Sequence, residues 1–288
     1  MTPRRKLGEA LRHRDASTRV IARRARGHRR RKDVAAQRRV SRSRPRCLPS
    51  LVKPCVYWMS GSPFAWRVQL AFVIKGIDHD DRLLSISAGD TKEPAFRALS
   101  PRGQVPVLVH GEVVLTESLA ILDYLDRVYR TRPLFGKTPA EASRTWSTLL
   151  DLDGHFIVDA RTVARACFRD QVKDRKDELR EAMGRVEEEL GHLAHLLEGS
   201  ARTLDHVGAV DVVVYPALMQ LFRGLSQPAA APLDRRPDRI HREHAAVFAW
   251  FERFAVLPGV DATYPPHWRE ADDASRPPAA ARDRATRP

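Results

Sequence analysis

Apolar and polar positions follow two rhythms along this chain. From residue 54 to about residue 130, short apolar runs alternate with turn residues. From about residue 139, apolar positions recur at helical spacing. Cys55-Val56-Tyr57-Trp58-Met59 predicts a buried strand. Ser60-Gly61-Ser62-Pro63 then predicts a turn that doubles as a helix start, with Ser62 as N-cap and Pro63 at the first helical position. Val68, Leu70, Ala71, Val73 and Ile74 make that helix mostly apolar, and Lys75-Gly76 stops it. A second strand is expected around 82–86 and a short helix around 93–99, ending before Pro101. The runs 104–109 and 113–115 read as strands joined by a tight hairpin at His110-Gly111-Glu112. Thr116-Glu117-Ser118 opens an amphipathic helix with Leu119, Ile121, Leu122, Leu125 and Val128 at helical spacing.

The resulting order, β-α-β-α-β-β-α, predicts a thioredoxin-like layout: two parallel strands joined by a helix, an antiparallel hairpin and a closing helix. Residues 131–138, with Pro133 and Gly136, read as a linker. Beyond them helices are expected at 139–167, 174–197, 211–225 and 245–255, with a Pro/Ala-rich loop at 227–236. The expected organisation is therefore α+β followed by all-α. A thioredoxin-like domain spans 51–131 and an all-helical domain spans 139–269. A disordered tail is expected at 270–288.

Charge changes the picture at one end only. The chain has 50 Lys and Arg against 36 Asp and Glu, a net charge of +14. Of these, 18 basic and 3 acidic residues lie in residues 1–50, so the remainder is close to neutral. That segment has no Phe, Trp or Tyr and is expected to be disordered. It reads as a dispensable or mis-started tail, a loose polyanion-binding tail, or an Arg-rich transit peptide. Without aromatic residues it offers no stacking platform, so specific nucleic-acid recognition is not expected.

No apolar run approaches the roughly 20 residues needed to span a bilayer, and no signal-peptide core is visible. Cys47, Cys55 and Cys167 are odd in number and widely spaced, which argues against a disulfide framework or a zinc site. A reducing cytoplasm is the expected setting. His192/His195 and His241/His244 lack further ligands at metal-site spacing, so no metal is expected.

Three stretches carry candidate chemistry. Ser62 stands at a helix N-terminus, where its hydroxyl can serve as a structural cap. It can equally donate to a bound thiolate that the helix dipole also favours. Val105-Pro106 enters a strand, where proline removes a ladder donor. The pair is either an ordinary edge-strand proline or a cis bend that presents the Val105 backbone to an extended peptide. Glu117-Ser118 begins a helix, either as a routine capped turn or as a clamp. In a clamp the helix N-terminus and Ser118 would take a carboxylate, and Glu117 would take an ammonium group. A thiol activator, a peptide clamp and an amino-acid clamp together fit the parts of a γ-glutamyl-cysteinyl tripeptide.

The stretches SPFAWRV, FRALSPRGQVPVL and LTESLAILDYLD resemble the N-terminal signatures of the glutathione S-transferase family over roughly residues 54–135. The resemblance implies a glutathione co-substrate and a small electrophile. It makes Ser62 the thiol-activating serine, Val105 before the cis-proline Pro106 the cysteinyl-backbone contact, and Glu117 and Ser118 the γ-glutamyl contacts. Gln104 would lie near the glycyl end. It also implies a homodimer. Where the family usually has Asn-Pro, Ser100-Pro101 stands here. GAVDVVVYPAL resembles the family's capping-box region, with Asp211 kept and Gly208 in place of a hydroxyl residue. Trp66-Arg67-Val68 is similar to the zeta class, which isomerises maleylacetoacetate or maleylpyruvate, while Ser62-Pro63-Phe64 is closer to tau-like transferases. The same fold also serves as a non-enzymatic binding module. Trp146, His155 and Phe156 lie on the helix that lines the family's electrophile pocket, and core packing is the other reading of all three.

Overall fold

The computed structural model of this chain describes residues 52–275. The readings for residues 1–50, including Cys47, and for 276–288 lie outside the described residues. The first half contains β1 (Cys55–Trp58), α1 (Pro63–Lys75), β2 (Asp80–Leu83), α2 (Pro94–Leu99), β3 (Val107–His110), β4 (Val113–Leu115) and α3 (Ser118–Val128). The four strands form one sheet in the order β2-β1-β3-β4. β1 and β2 are parallel, with Cys55 opposite Asp80. β1 and β3 are antiparallel, with Val56 opposite Leu108, and β4 pairs antiparallel with β3. This is the thioredoxin-like arrangement expected from the sequence.

α1 begins and ends where its signals stand. Ser62 Oγ accepts from the Ala65 N–H at 3.3 Å, Pro63 is the first helical residue, and Gly76 closes the helix at φ 66°. Apart from Val73, the residues between Ala65 and Lys75 are all buried. Because it is covered on all sides, α1 lacks the polar stripe of a surface helix. Its Lys75 ammonium is buried against Asp126 at 2.6 Å and donates to the carbonyls of Thr131 and Arg132. Asp126 in turn accepts from the N–H groups of Leu134 and Phe135, so one buried pair ties α1, α3 and the linker together.

The second strand lies earlier than the apolar pattern suggested, at the exposed and charged residues Asp80–Leu83. An edge strand needs only one partner, and charge on it discourages further pairing. The apolar residues Leu84 and Ile86 leave the sheet for the cleft described below.

The second half contains α4 (Pro139–Leu152), α5 (Val158–Phe168), α6 (Lys176–Leu196), α7 (Ala209–Leu225), α8 (Pro237–Glu243), α9 (Ala245–Ala255) and α10 (Pro266–Ser275). The single helix expected over 139–167 is instead two helices joined through a π-helical turn at Asp153–Ile157. The Pro/Ala-rich segment forms a short 3₁₀ turn at Pro228–Leu233. α10 runs six residues into the stretch expected to be a disordered tail. Its anchor is the buried Trp268, a single large apolar residue in an otherwise polar segment. The core of this half centres on α7, which packs against both α5 and α1 and so joins helical half to sheet half. Among the described residues no helix is long and apolar enough to cross a membrane.

Candidate functional site

A cleft of about 1060 Å³ opens between the sheet half and the helical half. All six residues singled out from the sequence line it: Ser62, Gln104, Val105, Pro106, Glu117 and Ser118. They come from three separate segments, at the starts of α1, β3 and α3, which the strand directions bring to one end of the sheet.

At the α1 end, Ser62 is the N-cap, so the structural role is realised. A hydroxyl carries two acceptor lone pairs and one donor hydrogen. Accepting from Ala65 leaves the O–H able to donate into the cleft, and the two roles of Ser62 are compatible. At the β3 end, the Val105–Pro106 peptide bond is cis. Val105 precedes the paired register, whose first β1–β3 pair is Tyr57 with Val107. The Ser100 hydroxyl, buried, accepts from the Gln104 N–H at 3.0 Å and donates to the Gln104 carbonyl at 2.9 Å. The Ser100 side chain thus holds this turn.

At the α3 end, Glu117 is the N-cap residue, yet no side chain caps the helix, which leaves its first-turn N–H groups for another acceptor. The Glu117 carboxylate is exposed, 3.9 Å from Arg102. Ser118 is buried and accepts from Arg67 Nη1 at 3.2 Å. The Arg67 guanidinium also lies 3.6 Å from Asp153, at the start of the π-helical turn. Burial lowers the Arg67 pKa to about 10, with Asp153 acting against that shift, so Arg67 is charged at neutral pH.

The far wall comes from the helical half: Asp153, Arg161, Arg165, Gln220 and His267. Arg161 and Arg165 stand one turn apart on α5. The Arg161 guanidinium lies 5.3 Å from the centre of the Phe64 ring. Burial and the neighbouring charges of Arg169 and Arg161 hold Arg165 below its usual pKa. Trp146, His155 and Phe156 do not reach the cleft. Phe156 is fully buried in the core. Trp146 packs on Phe135 at 5.3 Å, and His155 lies against the Asp151 carbonyl. The packing reading holds for Trp146 and Phe156, and the π-helical turn changes which residues of this stretch face inward. The i,i+4 spacing of Arg161 and Arg165 was the available sign of a cationic wall. Among the described residues, no group of three or more His, Cys, Asp or Glu is placed to hold a metal ion.

The model of the glutathione S-transferase N-terminal domain matches residues 61–128. A protein of Vibrio cholerae named probable maleylacetoacetate isomerase is 30% identical over 207 residues, covering 63% of this chain and 95% of its own. Glutathione S-transferase 1 of Dianthus caryophyllus is 28% identical over 178 residues, covering 61% and 80%. The crystal structure of a glutathione S-transferase from the Antarctic clam Laternula elliptica superposes with a TM-score of 0.63 at 26% identity, covering 76% of this chain and 94% of its own. Signature stretches, fold, cleft and relatives agree: the chain belongs to the glutathione S-transferase family, a family of enzymes.

Proposed function

We propose that this protein is a glutathione transferase that ionises the glutathione thiol against Ser62 and adds it to a small electrophile. The observation that carries this reading is the meeting of Ser62, Val105-Pro106 and Glu117-Ser118 at one cleft. In this reading the α3 N-terminus and Ser118 take the γ-glutamyl carboxylate, and Glu117 takes the ammonium group. The Val105 backbone pairs with the cysteinyl residue, and Gln104 lies toward the glycyl end. The thiol then reaches the α1 N-terminus, where the Ser62 hydroxyl and the helix dipole lower its pKa. The sulfur lone pair attacks the electrophile, forming a thioether bond as the leaving group departs with its electrons or as an adjacent multiple bond takes them up. A cytoplasmic setting, which keeps glutathione reduced, and a homodimer belong to the same reading. Retention on immobilised glutathione, followed by assay of conjugation against a panel of electrophiles, tests it; no retention and no conjugation would refute it.

One observation favours a second reading. Arg161 and Arg165 give the electrophile wall positive charge, which suits a carboxylate-bearing substrate. Glutathione-dependent cis–trans isomerisation of such a substrate, the activity named for the Vibrio relative, is the alternative. Glutathione consumed in step with product supports the transferase; glutathione regenerated at each turnover supports the isomerase.

A further inference from the structure

After α9 the chain returns to the cleft. Trp66 Nε1 of α1 donates to Thr263 Oγ1 at 2.7 Å. The Trp66 ring meets Tyr264 and Trp268 edge-on at 5.9 and 5.8 Å. Arg223 of α7 lies 4.8 Å from the centre of the buried Trp268 ring and donates to the Tyr264 hydroxyl at 2.9 Å. These contacts fix α10 against α1 and set the position of His267, which stands beside Trp268 and faces the cleft.

The His267 imidazole sits on the turn that ends in Ser62. Its Nδ1 is 2.5 Å from Ser60 Oγ. It covers Gly61 so closely that a Cβ there would lie 2.7 Å from Cε1 and 3.2 Å from Nε2. Gly61 also has φ +78°, so both backbone and neighbour require glycine between the two serines. Burial and the positive charge of Arg223 hold the imidazole below its usual pKa, and Glu270 on its own helix opposes them. The ring is therefore uncharged at neutral pH and has one nitrogen lone pair.

We propose that His267 is a catalytic residue that accepts the proton lost by the thiol bound in the cleft. The inference rests on the glutathione reading of the site. Ser60 is a positioning residue: its hydroxyl accepts from Nδ1–H, which places the lone pair on Nε2. The thiol S–H bond breaks, its electron pair stays on sulfur, and the proton forms an N–H bond at Nε2. The thiolate remains beside the α1 N-terminus as a donor target for Ser62. Its negative charge raises the pKa of the adjacent imidazolium, so the proton stays in the cleft. When sulfur attacks the electrophile, the imidazolium returns the proton to the leaving group or to the carbanion formed by addition.

Two readings on the full chain with glutathione at neutral pH test this: the ultraviolet thiolate band, and the protons exchanged on binding, from calorimetry in buffers of different ionisation enthalpy. The wild type should show the band with almost no proton release, because the proton moves from sulfur to His267. In H267Q each thiolate formed should release about one proton to the buffer. A wild type that releases about one proton per thiolate would overturn the role of His267 and leave the glutathione reading intact. A wild type that binds no glutathione, or binds it without the band, would overturn both. The wild-type proton count decides the matter even if H267Q does not fold.

Discussion

The buried Arg67 guanidinium on α1 donates to the Ser118 hydroxyl on α3 at 3.2 Å, which ties together two helices whose N-terminal residues line the cleft. The same group faces Asp153 at 3.6 Å and so reaches the helical half. Arg67→Met keeps most of the side-chain volume but removes the charge and the donor. Asp153 is about half exposed, so the ion pair is partly screened by water. The expected loss is about 1–3 kcal/mol, read as a Tm lower by about 3–9 °C. Glutathione affinity should fall with it, because Ser118 loses the contact that orients it. An unchanged Tm and affinity would show that the coupling is idle.

Gly208 offers the opposite experiment. The Asp211 carboxylate accepts from the Gly208 N–H at 2.8 Å, from Ser200 Oγ at 2.7 Å and from Trp250 Nε1 at 2.7 Å. Gly208 has no side chain with which to cap α7, which joins the two halves, so the cap comes from one side only. Its backbone is extended, and a Cβ there meets nothing nearer than 3.5 Å. Gly208→Ser should therefore restore the reciprocal cap and stabilise the protein by about 0.5–1 kcal/mol. Thermal denaturation should give a Tm higher by about 1–4 °C; a lower Tm would contradict the account of this helix start.

Leu150 on α4 and Val158 at the start of α5 are large apolar residues left exposed on the single chain. The homodimer proposed above would cover such a surface. Light scattering at micromolar concentration should give twice the chain mass, and Leu150→Glu should shift the protein toward monomer. A wild type that is monomeric across that range would contradict the proposal.

The elements of the sheet half were legible because their signals are local. Ser62, Pro63 and Gly76 start and stop α1 within a few residues of chain, and α1 runs between them as read. β2 was misplaced because its position is set by pairing with β1, and its own residues carry charge in place of an apolar pattern. The six residues proposed to hold glutathione lie in three short motifs, and all of them line the cleft. The opposite wall could not be read from such motifs. Which face of α5 looks inward depends on the π-helical turn before it, and the place of His267 depends on α10 packing against Trp66 some 200 residues earlier in the chain. Neither leaves a periodic trace in the sequence.

Ser62 should act on the thiol and Ser118 on binding, and a pH titration of the bound thiolate band in S62A and S118A separates the two roles. A hydrogen bond to a charged group contributes roughly 1.5–3 kcal/mol, so S62A should raise the pKa of the bound thiol by about one to two and slow turnover at neutral pH. Glutathione affinity should change much less. S118A should do the reverse, weakening affinity while leaving the bound thiol's pKa nearly where it was, because its contact is made alike in ground and transition states. A bound thiol whose pKa and turnover are the same in S62A as in the wild type would contradict the account.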